Sequence, residues 1–262
     1  MITLPAEPPA ASIDRRTFSR RVAGLAAGAT LFGLGESARG DADKPIRVRV
    51  WSEGTAPKAV YPQDIDGALG DFLARQAGFR VARARLGQPH AGLSDADLDA
   101  TDALVWWGRL RHGDLPDDRA KAIAARVREG RLGFVALHAS CLSKPFVELM
   151  GGPCELGGFR EDGRPERIEV KAPGHPLARG VAPFTIPKTS MFAEPFRVPE
   201  PEAVVLVSTF DRGETFRSGM TWKVGKGRVA YFRPGHDGFP VFFHPAVRQV
   251  VANAASWAAR RA

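Results

Sequence analysis

Cysteine is scarce in this chain, and the short spacings typical of metal centres are missing. Only Cys141 and Cys154 occur among the 262 residues, so at most one disulfide can form within the chain. An exported protein can pair these two thiols, and a buried, inert thiol is the alternative for Cys141. Because the sequence has no HxxxH or CxxC motif, it carries no local signature of a metal site.

Long apolar runs are missing as well. The apolar run at residues 22–35 has 14 residues, which is too short to cross a bilayer of about 30 Å as a stable helix. It follows residues 15–18, RRTF, a pattern typical of a twin-arginine export signal. We therefore predict a signal peptide and linker at residues 1–42 and a folded domain at residues 43–262. This implies a periplasmic or extracellular protein without a stable membrane span; a disordered basic N-terminus is the alternative.

Positive charge is in excess but is not concentrated. Lys and Arg number 37 against 29 Asp and Glu, a formal net charge of +8, and such an excess favours nucleic acid or anionic surfaces as partners. However, the basic residues are mostly single arginines, many of them beside acidic residues. A solvated surface of mixed sign is the better interpretation, and it predicts a small-molecule partner rather than nucleic acid.

Strand and helix patterns alternate through the first half of the chain. Strands are predicted at residues 46–51, 79–86, 103–107 and 132–138, and helices begin near residues 64, 94, 116 and 143. This alternation predicts an α/β fold with a doubly wound parallel sheet. In the second half, strands are predicted at residues 167–170, 204–210, 215–224 and 227–233. The proline-rich residues 184–201 are predicted as ordered loop, and residues 244–261 as a terminal helix.

Chemically useful side chains follow several of the predicted strands. Ligands of parallel α/β sheets bind beyond the carboxyl ends of the strands, so residues at these ends are expected to meet. His112, His138 and His236, three of the six histidines of the chain, occupy such positions. They can serve as general acid or base near neutral pH. Alternatively, they can hold Zn²⁺ or another divalent metal, with Cys141 as a further tentative ligand.

Acidic, basic and aromatic residues complete the predicted site. Glu53 and Glu194 are candidate bases or hydroxyl acceptors. The planar guanidinium groups of Arg217 and Arg233 are suited to a carboxylate, phosphate or keto oxygen. Trp107 is a candidate for stacking on a sugar. Since adjacent side chains of a strand point to opposite faces, Trp106 and Trp107 cannot both line one pocket.

Taken together, these segments resemble the ThuA-like, or trehalose-utilisation, family. The resemblance runs from residue 46 to about residue 260 and rests on the segments RVRVWSEG, WWGRLRH, GFVALHASCLSKPFVELMG, MFAEPFRVPEP, FRSGMTW and GKGRVAYFRPGHDGFP. It implies a flavodoxin-like, class I glutamine amidotransferase-like three-layer sandwich. It also implies a role in the use of trehalose or a related disaccharide, through keto-sugar intermediates.

The resemblance also exposes departures from the family pattern. Family members carry WWGHxxH, LHSxH and FRPGHE, whereas Arg109 and Cys141 stand here in place of two histidines and Asp237 in place of a glutamate. Arg109 cannot bind a metal, whereas Cys141 can, so Arg109 and Asp237 are assigned to substrate binding. No GxCxG elbow of an amidotransferase is present.

These observations leave three hypotheses. The first is an exported enzyme acting on a sugar or keto-sugar, as a hydrolase, lyase or isomerase. The second is a non-catalytic carbohydrate-binding or accessory domain on the same fold, which the two replaced histidines favour. The third, a nucleic-acid binder, rests only on the net charge.

Overall fold

One mixed sheet of nine strands organises residues 44–259, the part of the chain that the computed structural model describes. The strands are β1 (Ile46–Ser52), β2 (Phe79–Arg85), β3 (Ala103–Trp107), β4 (Gly133–Leu137), β5 (Gly158–Val170), β6 (Phe184–Ala193), β7 (Ala203–Phe210), β8 (Thr215–Val224) and β9 (Gly227–Phe232). The helices are α1 (Asp64–Ala74), α2 (Asp95–Asp99), α3 (Asp117–Arg128), α4 (Lys144–Met150) and α5 (Pro245–Ala258). The predicted signal peptide lies outside the described residues.

The strand order is β2-β1-β3-β4-β9-β8-β7-β5-β6. The first five of these strands pair in parallel, in the order of the flavodoxin-like sheet. Helices α1 and α5 cover one face, and α3 and α4 cover the other. The predicted three-layer α/β sandwich is therefore confirmed. Within the described residues, no helix has both the length and the apolar character needed to cross a membrane.

The central strand β3 shows how the sequence builds both core layers. All five of its residues are buried, as expected for a parallel strand covered on two faces. Trp106 stacks on Trp51 with 3.7 Å between ring centroids in one layer. Trp107 belongs to the other layer, where its indole N–H donates to the carbonyl of Gly235 at 2.9 Å. Trp107, which we expected to contact substrate, thus packs within a core layer, and its indole N–H is already bonded to the main chain.

The remaining four strands form antiparallel pairs on one side of the parallel strands. The prediction of a loop at residues 184–201 is wrong for its first half, which is strand β6. Pro187 lies within β6 and has no backbone N–H. An interior strand uses all of its N–H groups, because it pairs with a neighbouring strand on each side. Because β6 is the edge strand of the sheet, the missing donor can face away from the ladder.

A buried ion pair joins the two halves of the sheet. Arg233 follows β9, and its guanidinium contacts the carboxylate of Glu166 in β5; neither side chain is exposed. Arg233 also donates to the carbonyl of Ser190 in β6, and the Ser208 hydroxyl of β7 donates to Glu166. The substrate-orienting role expected of Arg233 does not fit this placement, because its guanidinium is engaged inside the protein.

We expect Arg233→Met to lower the free energy of unfolding by about 3–5 kcal/mol, since it leaves the Glu166 carboxylate buried without its cation. Urea denaturation of the wild type and the variant measures this loss. The double variant Arg233→Met/Glu166→Gln removes both charges and is expected to recover about half of it or more. A single-variant loss below about 1 kcal/mol would show that the pair is energetically idle.

Candidate functional site

His138 occupies a strained position at the carboxyl end of β4. Its backbone has φ = +56°, a left-handed conformation that non-glycine residues rarely adopt and that usually marks a constrained, functional position. A short 3₁₀ turn at residues 138–142 follows directly. The side chain is fully buried and stacks on Phe192 of β6, with 4.9 Å between ring centroids.

The protein fixes the tautomer of His138. Its Nδ1 lies 3.0 Å from the backbone carbonyl oxygen of Arg233. Because a carbonyl oxygen can only accept, Nδ1 must carry the proton when the ring is neutral. Nε2 then bears a lone pair, and this buried atom has no hydrogen-bond partner in the protein. His138 is therefore arranged to act as a base through Nε2.

His236 has the opposite tautomer. Its Nδ1 accepts a hydrogen bond from the backbone N–H of Gly238 at 2.9 Å, so in the neutral ring the proton sits on Nε2. The Nε2 atom faces Oε1 of Glu161 at 2.8 Å. The rings of His236 and His138 lie edge to face with 5.4 Å between centroids. A lone pair on one ring and an N–H on its neighbour are the components of an acid–base pair.

Burial keeps both rings neutral. It lowers the pKa of His138 well below the ordinary value, and the nearby cation of Arg233 acts in the same direction. Burial also lowers the pKa of His236, as does the guanidinium of Arg109, and together they outweigh the neighbouring carboxylates. Both rings are therefore neutral at pH 7, the state in which their tautomers decide what each can donate or accept.

Glu53 holds the loop after β3 rather than standing free as a base. Its carboxylate is buried after β1 and accepts the backbone N–H groups of Leu110 at 2.8 Å and Arg111 at 3.0 Å. Nδ1 of His112 lies 3.5 Å from the same carboxylate. Burial lowers the pKa of His112, although Glu53 opposes this. Glu53 and His112 thus meet as predicted, next to the β1–β3 boundary where the strand order reverses.

Ser140 and Gly108, together with Glu53, hold the loop after β3 in place. The Ser140 hydroxyl donates to the carbonyl of Trp106 at 3.1 Å and accepts the N–H of Gly108 at 2.8 Å. A Cβ on Gly108 would lie 2.8 Å from Oε1 of Glu53, so any larger residue would displace that carboxylate. Ser140 was not among the predicted site residues, because its position after β4 carries no signal of a hydrogen bond to the β3 loop.

Arg109 links the loop after β3 to strand β5 and to the segment after β9. Its Nη2 contacts Oε2 of Glu161 at 2.9 Å, and its Nη1 lies 3.5 Å from Oδ1 of the buried Asp237. Glu161 comes from β5, where the pairing with β6 shifts register between Arg160 and Arg164. Sequence reasoning missed Glu161, since residues 158–166 were not predicted as strand and lie far away along the chain.

Glu194 and Arg217 form an ion pair of their own. Arg217 donates to Oε1 of Glu194 through Nε at 2.9 Å and to Oε2 through Nη2 at 3.2 Å. Burial raises the pKa of Glu194, but the hydrogen bonds from Arg217 outweigh it and the net shift is downward. Each of the two groups neutralises the other, so neither is free for the base or substrate-orienting role that we predicted.

Cys141 and the predicted metal ligands do not form a metal site. Cys141 and Cys154 are free, buried thiols, and burial raises the pKa of Cys141 to about 12, so the ligating thiolate is strongly disfavoured. Within residues 44–259 no group of three or more His, Cys, Asp or Glu side chains is arranged to hold a metal ion. These residues therefore do not fit Zn²⁺ or another divalent metal.

Comparison with known proteins identifies the family. The sequence model of the family ThuA, described as "Trehalose utilisation", matches residues 47–258. The chain belongs to the ThuA family. A search of curated proteins found no match.

Solved structures share the fold of this ThuA domain. A thua-like protein from Bacteroides uniformis ATCC 8492 has 16% identity and a TM-score of 0.61, and the match covers 82% of this chain and 92% of that one. A thua-like protein from Parabacteroides merdae ATCC 43184 has 17% identity and a TM-score of 0.62, with 82% and 90% covered. A β-galactosidase from Bacillus circulans sp. alkalophilus matches at 11% identity and a TM-score of 0.51, over 81% of this chain and 31% of its own.

The thiols of this ThuA protein are expected to be unreactive while it is folded. Burial raises the pKa of Cys141 to about 12 and that of Cys154 to about 11, so neither forms a thiolate near pH 8. Ellman's reagent should detect no thiol in the native protein and both thiols after denaturation in urea. A native thiol that reacts promptly, or fewer than two thiols after denaturation, would contradict this arrangement.

Stability should decrease as pH falls below the ordinary histidine pKa. Below about pH 6.5 the unfolded chain binds a proton at residue 138, whereas the folded state, with its lowered pKa, does not. His138→Asn removes this proton uptake, and asparagine tolerates the left-handed backbone. Between about pH 7.5 and 5.5 the free energy of unfolding of the variant should therefore fall by about 1.4 kcal/mol less, in total, than that of the wild type. Urea denaturation between about pH 7.5 and 5.5 tests this, and identical slopes would refute it.

Proposed function

We propose that this protein is an exported enzyme that moves protons on a sugar or keto-sugar, in the use of trehalose or a related disaccharide. The observation that carries the proposal is the pair of opposite tautomers at His138 and His236. Membership of a family described by trehalose utilisation supports the substrate class. The twin-arginine pattern at residues 15–18 supports export.

The proposed step is proton abstraction next to a carbonyl group. Nε2 of His138 takes the proton from the carbon beside the carbonyl, and the C–H electron pair forms the enolic double bond. The carbonyl oxygen gains the charge and receives a hydrogen bond or proton from Nε2 of His236. Return of a proton to the former carbonyl carbon, with loss of the hydroxyl proton on the deprotonated carbon, isomerises the sugar. Loss of a leaving group from the carbon on the other side of the deprotonated carbon gives elimination instead.

Contacts between aromatic rings connect the surface with His138. Phe159 has 53% of its surface exposed, and its ring lies 5.7 Å from that of Phe192. Phe192 in turn stacks on His138. Sites for small molecules combine such apolar walls with a few fixed polar groups, and the C–H face of a sugar ring suits Phe159.

The frame around Glu53 keeps the polar side of the site in place. Glu53 binds two backbone amides of the β3 loop, and Ser140 ties this loop to the turn that carries His138. Catalytic groups held in this way need little rearrangement during the reaction. Glu53 and Ser140 are therefore assigned as positioning residues, and His138 and His236 as the catalytic pair.

A second candidate function is a non-catalytic carbohydrate-binding or accessory domain. The observation that favours it is the ion pair between Arg109 and Glu161, which engages Nε2 of His236 through the same carboxylate. If that carboxylate stays in place when sugar binds, His236 cannot donate to the substrate.

We expect the wild type to exchange carbon-bound hydrogen of 3-keto-trehalose for deuterium at the carbon beside the ketone in D₂O, followed by proton NMR. His138→Asn should lower the exchange rate by about 10²–10⁴-fold, because it removes the base. His236→Asn should cause a loss of similar size, since the charged oxygen loses its donor.

His175→Asn is the matched control. His175 lies beside Trp257 near the end of α5 and caps a short turn through Nδ1, a contact that asparagine can replace. Its exchange rate should equal that of the wild type. Exchange that survives in His138→Asn would refute the proposed base, and saturable sugar binding without exchange would favour the accessory domain.

A further inference from the structure

We infer that Arg109 and His236 form a subsite for the carboxylate of an acidic sugar, which the side chain of Glu161 occupies in this structure. The inference rests on the proposed acid–base chemistry at His138 and His236 and extends its substrate class from neutral keto-sugars to acidic sugars. In such a substrate, for example a uronate, the carbonyl group whose oxygen gains charge is that of the carboxylate.

The two oxygens of the Glu161 carboxylate lie close to nitrogen atoms of two different residues: Arg109 donates a hydrogen bond, and the buried Nε2 of His236, which has no hydrogen-bond partner, is within ion-pair distance. Nη2 of Arg109 lies 2.9 Å from Oε2, and Nε2 of His236 lies 2.8 Å from Oε1. The Nδ1 acceptor position of His236 directs its proton to Nε2. A guanidinium and an imidazole N–H that converge on one carboxylate are a recognition arrangement for this group.

Arg109 and His236 are more buried than Glu161, the residue that supplies the carboxylate. The side chain of His236 is 1% exposed and that of Arg109 is 21% exposed, against 42% for Glu161. The ladder between β5 and β6 is interrupted around Glu161, so this side chain is not fixed by strand pairing there. Ion pairs with an exposed partner are weak, since water competes for both groups, and a ligand carboxylate can take the place of Glu161.

The neighbouring charge favours a carboxylate over a phosphate. Oδ1 of Asp237 lies 3.5 Å from Nη1 of Arg109 and 3.5 Å from Nδ1 of His236, and it is buried. Arg109 therefore already serves one acidic group besides Glu161. A monoanion replaces Glu161 without change of charge, whereas a phosphate dianion adds repulsion from Asp237.

The subsite adjoins the proposed base. The rings of His236 and His138 are in edge-to-face contact, with 5.4 Å between centroids. A carboxylate bound at His236 therefore lies next to the ring of the proposed base. The hydrogen on the carbon that bears a carboxylate is the one that such a base abstracts in uronates, and Arg109 and His236 face the oxygens that gain charge.

Calorimetry on the full chain tests the inference with matched ligands. The probes are D-glucuronate, its neutral analogue D-glucuronamide, and D-glucose 6-phosphate. We expect glucuronate to bind at least about threefold more tightly than glucuronamide to the wild type. In Glu161→Gln, which removes the competing carboxylate, this preference should rise to about tenfold or more while glucuronamide binding stays unchanged.

Two further variants complete the design. Arg109→Gln should abolish the preference for glucuronate, and Arg109→Lys should retain part of it, because lysine keeps the charge but not the planar donors. Glu169→Gln is the matched control, since Glu169 lies on the same strand and pairs with Lys171; it should behave as the wild type. Thermal melts confirm that each variant is folded.

The outcomes separate this inference from the proposed function. Equal binding of glucuronate and glucuronamide by Glu161→Gln, or tighter binding of glucose 6-phosphate, would overturn the carboxylate subsite. If deuterium exchange on 3-keto-trehalose still depends on His138, the acid–base function stands without it. If no probe binds and no exchange occurs, both fail.

Discussion

The buried ion pair of Arg233 and Glu166 is the interaction on which both the sheet and the site depend. Its two side chains join the last parallel strand to the antiparallel strands that carry Glu161 and Phe192. Arg233 also supplies the backbone carbonyl that sets the tautomer of His138. A residue that we expected to bind substrate thus acts through the protein interior. Its side chain joins the two parts of the sheet, and its main chain decides which nitrogen of His138 is free.

The three histidines at the strand ends show that the environment, and not the residue type, assigns a role. His138 donates to a carbonyl and keeps a lone pair, whereas His236 accepts from an amide and keeps an N–H. His112 faces the carboxylate of Glu53 instead. Convergence at one edge follows from the parallel topology and was predictable. The direction of each proton depends on backbone groups of distant residues and was not.

The parallel half of the fold could be derived from the sequence because its signals are local. Apolar strands alternate with amphipathic helices there, and the opposite faces of Trp106 and Trp107 follow from the pleat alone. In the antiparallel half, the sequence signals of the strands were not local. Pro187 resembles a loop residue, and only the edge position of β6, a property of the whole sheet, permits it. Glu161 likewise belongs to the site only because β5 extends beyond its predicted length.

Because Glu53 binds main-chain amides, its hold on the loop after β3 does not depend on the side chains of that loop. Leu110 and Arg111 contribute only their N–H groups to Glu53, and any residue except proline offers the same donor. Gly108 is confined by the carboxylate itself, whereas the bonds to Glu53 set no requirement on the side chains of Leu110 and Arg111. The loop therefore keeps its shape through its main chain, and its side chains can differ in size and charge without loss of the two bonds to Glu53.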